Sequence, residues 1–157
     1  MPRRGYKKIT THKDPIYSSY EVAKLINYVM RDGKKTVAQR GVYSALKKIK
    51  SKKLDPINVL SNAIINVSPI KEVKSKRVGG ASYLVPMDTR PSRRIFLALN
   101  WIVDAANKRP NKEYKSFDEK LAAELIDAYS DQGQAVEKKR QVEKLAEANK
   151  AFAHFRW

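Results

Sequence analysis

Along most of this chain apolar residues return every three or four positions, and one long stretch, Ile70 to Met87, breaks that rhythm. A 3.6-residue period commits a segment to an amphipathic helix, because only that geometry gathers the apolar side chains on one face. The first run is Val22, Leu25, Ile26, Val29 and Met30, opened by a capping-box spacing at Ser18 and Glu21 and stopped by Asp32-Gly33. Val37, Gly41, Val42, Leu46 and Ile49 make the second, with Lys47, Lys48, Lys50, Lys52 and Lys53 crowding its flank and exit. Asp55-Pro56 pairs an N-cap with a proline at the first helical position, where its missing donor costs nothing. Val59, Leu60, Ala63, Ile64 and Val67 follow before Ser68-Pro69 ends this third helix.

Pro91 opens the fourth run, whose Ile95, Phe96, Leu99, Ile102, Val103 and Ala106 form a broad face ending at Arg109-Pro110, as suits a central helix. Ser116 and Glu119 repeat the capping spacing ahead of Phe117, Leu121, Ala122, Leu125 and Tyr129. A sixth helix is expected over about Gln134 to Ala153, with Val142, Leu145, Ala146, Phe152 and Ala153 on one side. Stripes this regular serve core packing, and no binding chemistry is assigned to them. The expected fold class is mainly α: a six-helix bundle with a protruding two-stranded antiparallel β-hairpin at about 70–88. Residues 14–157 form one helical domain in this reading. Residues 1–13 form a basic arm, disordered in isolation, because Arg3, Arg4, Lys7, Lys8 and Lys13 stand there without an acid.

The interruption itself reads as a hairpin, since two runs containing Val, Tyr and Leu flank Gly79-Gly80, a pair suited to a turn of positive φ. Lys71, Glu72, Val73, Lys74, Ser75, Lys76, Arg77 and Val78 place basic groups on both sides of a period-two element, so neither side is a good core face. An isolated hairpin of this kind is marginal in water without a counter-surface. A strand of about eight residues spans roughly 25 Å, against a radius of gyration near 15 Å for a globule of this length. The hairpin therefore projects.

Charge says what such a projection meets. Thirty-three Lys and Arg against sixteen Asp and Glu leave a net +17, which opposes compaction unless a polyanion neutralises it. Seven of those cations fall between residues 71 and 94, where only two acids stand: Lys71, Lys74, Lys76, Arg77, Arg90, Arg93 and Arg94. The three arginines surround the start of the fourth helix, where free backbone donors and the helix dipole favour an anion. Lys34 and Lys35 add a basic loop, and glycines at the tip let backbone approach a phosphate or base closely. Tyr6 and Tyr83 are candidates for stacking on an exposed base. Several separated basic elements suit the shape of a folded RNA better than a groove read by one helix.

Other classes are disfavoured. The chain has no cysteine and only two histidines, His12 and His154, so neither disulfides nor a thiolate or histidine metal site is expected. No triad, phosphate loop or metal motif points to an enzyme, and no cofactor or small-molecule substrate is implied. The amino terminus lacks the apolar stretch of a secretory signal, and no run approaches the roughly 18 residues that span a bilayer. A cytoplasmic protein without a membrane partner is expected. An architectural DNA binder or free-standing translational repressor is the alternative, but the tip offers Gly79-Gly80 where a minor-groove arm needs a wedge.

Four segments carry a resemblance: MRDGKK at Met30 to Lys35, KRVGGASYLVPM at Lys76 to Met87, LALNWIVDAANKRP at Leu97 to Pro110, and AEANKAFAHFRW at Ala146 to Trp157. In order and spacing the chain resembles the bacterial family of small-subunit ribosomal protein seven, from its MPRR start to its FRW end. The resemblance implies a helical bundle with a protruding hairpin that binds the 3′ major domain of small-subunit rRNA and nucleates assembly of the head. It further implies a place at the subunit interface near exit-site tRNA and the mRNA exit path, beside head and platform ribosomal proteins. Carried onto this sequence, the rRNA contacts are Arg3, Arg4, Lys34, Lys35, Lys71, Lys74, Lys76, Arg77, Arg90, Arg93 and Arg94. Arg77, Gly79 and Gly80 form the tip near tRNA. Ser82 departs from the family's pattern, which favours asparagine there, and relatives with a longer carboxy-terminal tail make contacts that do not transfer.

Overall fold

A computed structural model describes residues 11–155. The arm residues Arg3, Arg4 and Tyr6 lie outside them, and of the expected arm only Thr11, His12 and Lys13 are described, without regular structure. The elements are α1 (Tyr20–Val29), α2 (Lys35–Ser51), α3 (Pro56–Val67), β1 (Lys71–Val78), β2 (Ala81–Asp88), α4 (Pro91–Lys108), α5 (Phe117–Tyr129) and α6 (Gln134–Ala148), then a 3₁₀ segment, Lys150–Phe155. The expected six helices and one hairpin are there among the described residues.

The caps explain most boundaries. Asp55 accepts the Ile57 N–H at the start of α3, and Pro56 occupies its first position. At α1 the cap sits one residue later than the sequence suggests: Ser18 takes a left-handed φ of +50°, and Ser19 accepts from Val22 N. Glu21 is thereby free to accept the Ser61 hydroxyl at 2.6 Å, joining α1 to α3. The sixth helix also ends earlier than expected. It breaks after Ala148 into 3₁₀ turns, and within its last turn Leu145 is exposed while Ala146 is buried.

The core is one cluster drawn from α1 to α6, with Leu25, Leu46, Leu60, Leu99, Ile102, Leu121 and Leu125 fully enclosed. Burying each such side chain contributes roughly 1.5–3 kcal/mol. Val37, expected in the stripe of α2, is 63% exposed, because the buried face of that helix runs through Ala38, Val42, Ala45, Leu46 and Ile49. Asp14 ties the chain before α1 to this body: it accepts from Ile16 N, from Tyr17 N and, at 2.6 Å, from the Tyr43 hydroxyl of α2. Burial, followed by that hydrogen bond, pushes the Tyr43 phenol up to about 12.

Polar pairs brace α5. Arg109, just past α4, donates to Glu124 and Asp127, and Glu124 is fully buried. The second oxygen of Glu124 accepts Ala135 N, which caps the start of α6. Gly133 makes this possible: its φ is +93°, and a Cβ there would lie 3.0 Å from Glu124 Oε1. At the other end of α5, Lys48 of α2 bridges Asp118 and Glu119, while Ser44 donates to Asp118. Burial alone would raise the Asp118 carboxyl, but hydrogen bonds from Lys48, Ser116 and Ser44 outweigh it and hold the group well below the usual carboxylate range.

Candidate nucleic-acid interface

Strands β1 and β2 pair antiparallel from Lys71 with Asp88 up to Val78 with Ala81, so Gly79-Gly80 form a two-residue turn. Both glycines have positive φ, +58° and +89°, the pattern of a turn whose twist matches the strands it joins. No protein atom lies within 4 Å of where a Cβ would stand at either position, so the tip is open.

The hairpin is better anchored along its length than its composition suggests. Val85 is fully buried and Pro86 is buried too. Tyr83 packs on Phe152 and Phe155, with ring centroids 5.1 and 5.3 Å away, and Lys76 Nζ donates to the Phe155 carbonyl at 3.3 Å. The carboxy-terminal 3₁₀ segment is thus the counter-surface that an isolated hairpin lacks. Tyr83, offered by the sequence for stacking on a base, is thus engaged with two rings of the protein itself. Thr89 closes its base, donating from both N and Oγ1 to the Ile70 carbonyl.

The expected cations separate into two groups. Lys71, Arg77 and Arg90 are exposed, as are Lys34 and Lys35, and no ion pair among the described residues engages any of them. Lys74 and Arg93 share Glu72, at 3.8 and 3.2 Å, and Arg93 also covers the Phe96 ring at 4.9 Å. Arg94 is half-buried and donates to the Thr89 carbonyl at 3.0 Å, so it shapes the junction between β2 and α4. Side chains of this second group act partly as struts. Sequence could not separate the groups, because Glu72 and Arg93 stand 21 residues apart and meet only once the chain has folded.

Two helix starts stand apart from the rest. α1 and α3 have side-chain caps, and α5 and α6 carry acids in their first turns. α2 and α4 have neither: they begin at Lys34 and Arg90, with no cap hydrogen bond and no acid in the first turn. Cations at a helix start oppose its dipole, and the first backbone N–H groups there lack a side-chain acceptor. An anion such as phosphate would satisfy both. These are the positions where the sequence placed Lys34, Lys35, Arg90, Arg93 and Arg94.

No helix among the described residues is long and apolar enough to cross a membrane, and no group of acidic or histidine side chains there is arranged to hold a metal ion. Residues 1–150 match the family model described as ribosomal protein S7p/S5e. Over the whole of both chains the sequence is 52% identical to the small ribosomal subunit protein uS7 of Moorella thermoacetica and 48% identical to that of Thermodesulfovibrio yellowstonii. The uS7 protein of Pelagibacter ubique is 52% identical over 96% of this chain and 95% of its own.

Proposed function

Because the chain belongs to the S7p/S5e family of ribosomal proteins, we propose that it binds the 3′ major domain of small-subunit rRNA directly and nucleates assembly of the subunit head. The observation that carries this reading is the pair of uncapped, basic helix starts at α2 and α4 together with a cationic hairpin whose tip is open. Three such basic elements on one folded body fit phosphates on different parts of a folded RNA, and they bring neutralisation and shape rather than chemistry. The protein acts as a cytoplasmic scaffold in this reading, without catalysis, cofactor or small-molecule substrate.

The open tip at Arg77, Gly79 and Gly80 lies in this reading near exit-site tRNA and the mRNA exit path. Neighbouring head and platform proteins surround the body, which is one domain over residues 14–157. Arg3 and Arg4 add rRNA contacts from the arm. Cosedimentation tests the proposal. The protein should travel with small subunits and stay with them through a moderate-salt wash; recovery only in the unbound fraction would contradict it.

A further inference from the structure

Beyond the hairpin and the two helix starts, the exit of α2 carries a charge cluster that none of these contacts uses. Lys47, Lys50, Lys52 and Lys53 are exposed, and no carboxylate among the described residues lies within ion-pair distance of them. Their neighbour Lys48 is different: it pairs with both Asp118 and Glu119. Acids are therefore within reach of this turn, yet four of its five lysines have none.

A helix exit favours a few cations, since the carbonyl end of the dipole is negative. Lys48 and Lys50 already stand in the last turn. The further charges repel one another at spacings of three residues, Lys47 to Lys50 and Lys50 to Lys53. Lys53 also takes a left-handed φ of +62°, a conformation that favours glycine or asparagine just past a helix. A cation is thus kept where the backbone prefers another residue.

Position makes the cluster distinct. α2 packs on α1, α3 and α5 and touches neither strand of the hairpin. Its 17 residues separate Lys35 from Lys52 by about 25 Å at roughly 1.5 Å per residue. One phosphate group cannot meet both ends.

We propose that Lys47, Lys50, Lys52 and Lys53 form a second phosphate-contacting surface, so that α2 bridges two separate segments of one folded RNA, one at each end. The proposal rests on the rRNA-binding reading above and adds a site to it. An RNA backbone is favoured over an acidic protein because the exposed surface here is mainly charged and polar, through Lys47, Lys50, Ser51, Lys52, Lys53 and Asp55, beside a half-buried Leu54 and an Ile57 that is 37% exposed.

The test uses the full chain and a transcript of the small-subunit 3′ major domain. Replacing all four residues, Lys47→Gln, Lys50→Gln, Lys52→Gln and Lys53→Gln, should flatten the log–log salt slope by about 3, at roughly 0.7–0.9 per lost contact. Circular dichroism should be unchanged, since Lys48 and its two carboxylates are kept. The chain has no cysteine, so Lys35→Cys and Lys53→Cys each give a single anchor for a tethered hydroxyl-radical source. The two tethers should cut different RNA segments. An unchanged slope, coincident cuts, or a Lys53 tether that marks only an acidic protein neighbour in assembled subunits would each overturn the bridge. If wild-type protein shows no preference for the transcript, the parent reading fails instead, and the wild-type titration alone reveals it.

Discussion

Around α5 and on the hairpin the same charged residue types are put to opposite uses. Glu124 is fully buried, and it can be so because Arg109 and the Ala135 N–H satisfy its oxygens within one small cluster. On the hairpin and at the starts of α2 and α4, cations outnumber partners: Glu72 serves both Lys74 and Arg93, while Lys71, Arg77 and Arg90 stay in solvent. A charge inside the body must be paired, because desolvation is costly. Outside, water tolerates the unpaired charge until a polyanion replaces it. Stability and binding should therefore be separable by substitution.

The largest expected effect is on stability alone. Arg109→Met leaves Glu124 buried without its cation and should destabilise the fold by roughly 3–5 kcal/mol, read from the shift of a urea midpoint, with the salt slope of rRNA binding unchanged in the folded fraction. Next comes Gly133→Ala. Forcing a Cβ into a backbone of φ +93°, 3.0 Å from Glu124 Oε1, should cost roughly 1–3 kcal/mol in the same assay. A change below a few tenths would show that the turn relaxes and that the α5–α6 junction is softer than described.

A smaller effect sharpens the comparison by pH. The folded-state pKa of Asp118 is depressed, so its contribution is complete above the unfolded value near 4 and disappears as pH falls through the folded value. Asp118→Asn should thus weaken the protein at neutral pH by no more than about 1 kcal/mol, because its partner Lys48 remains 38% exposed. Wild type and variant should converge in acid, and an equal gap at all pH values would contradict the pairing. Least of all in stability should be Lys74→Gln with Arg77→Gln, within about 0.5 kcal/mol. That pair should nevertheless flatten the rRNA salt slope by roughly 1.5. A stability loss as large as that of Arg109→Met would erase the distinction between body and hairpin.

The local signals in the sequence were readable where one residue decides one boundary. Asp55-Pro56 opens α3, Gly79-Gly80 turns the hairpin and Pro91 opens α4 as the spacing indicates. What failed were questions of distance. Ser18 was a plausible cap until its backbone went left-handed, and Val37 and Leu145 fit a helical stripe that the neighbouring helices do not cover. Arg109 and Glu124 are 15 residues apart, with no local pattern joining them. Tyr83 meets Phe152 and Phe155 from the far end of the chain, and the aromatic residues crowded near Trp157 were the one available hint. For the candidate interface, composition was sufficient to find the cations but not to tell the solvent-facing Arg77 from Arg94, whose guanidinium is bound to the Thr89 carbonyl.

One competition experiment reaches the central claim most directly. Labelled 3′ major domain transcript, bound by the wild-type protein at near-physiological ionic strength, is challenged with unlabelled transcript or with an unstructured polyanion of equal charge. If the fixed prongs match a folded surface, the transcript should displace the label at far lower concentration. Equal displacement by both would mean that net charge alone drives the binding and that the arrangement of the prongs is irrelevant.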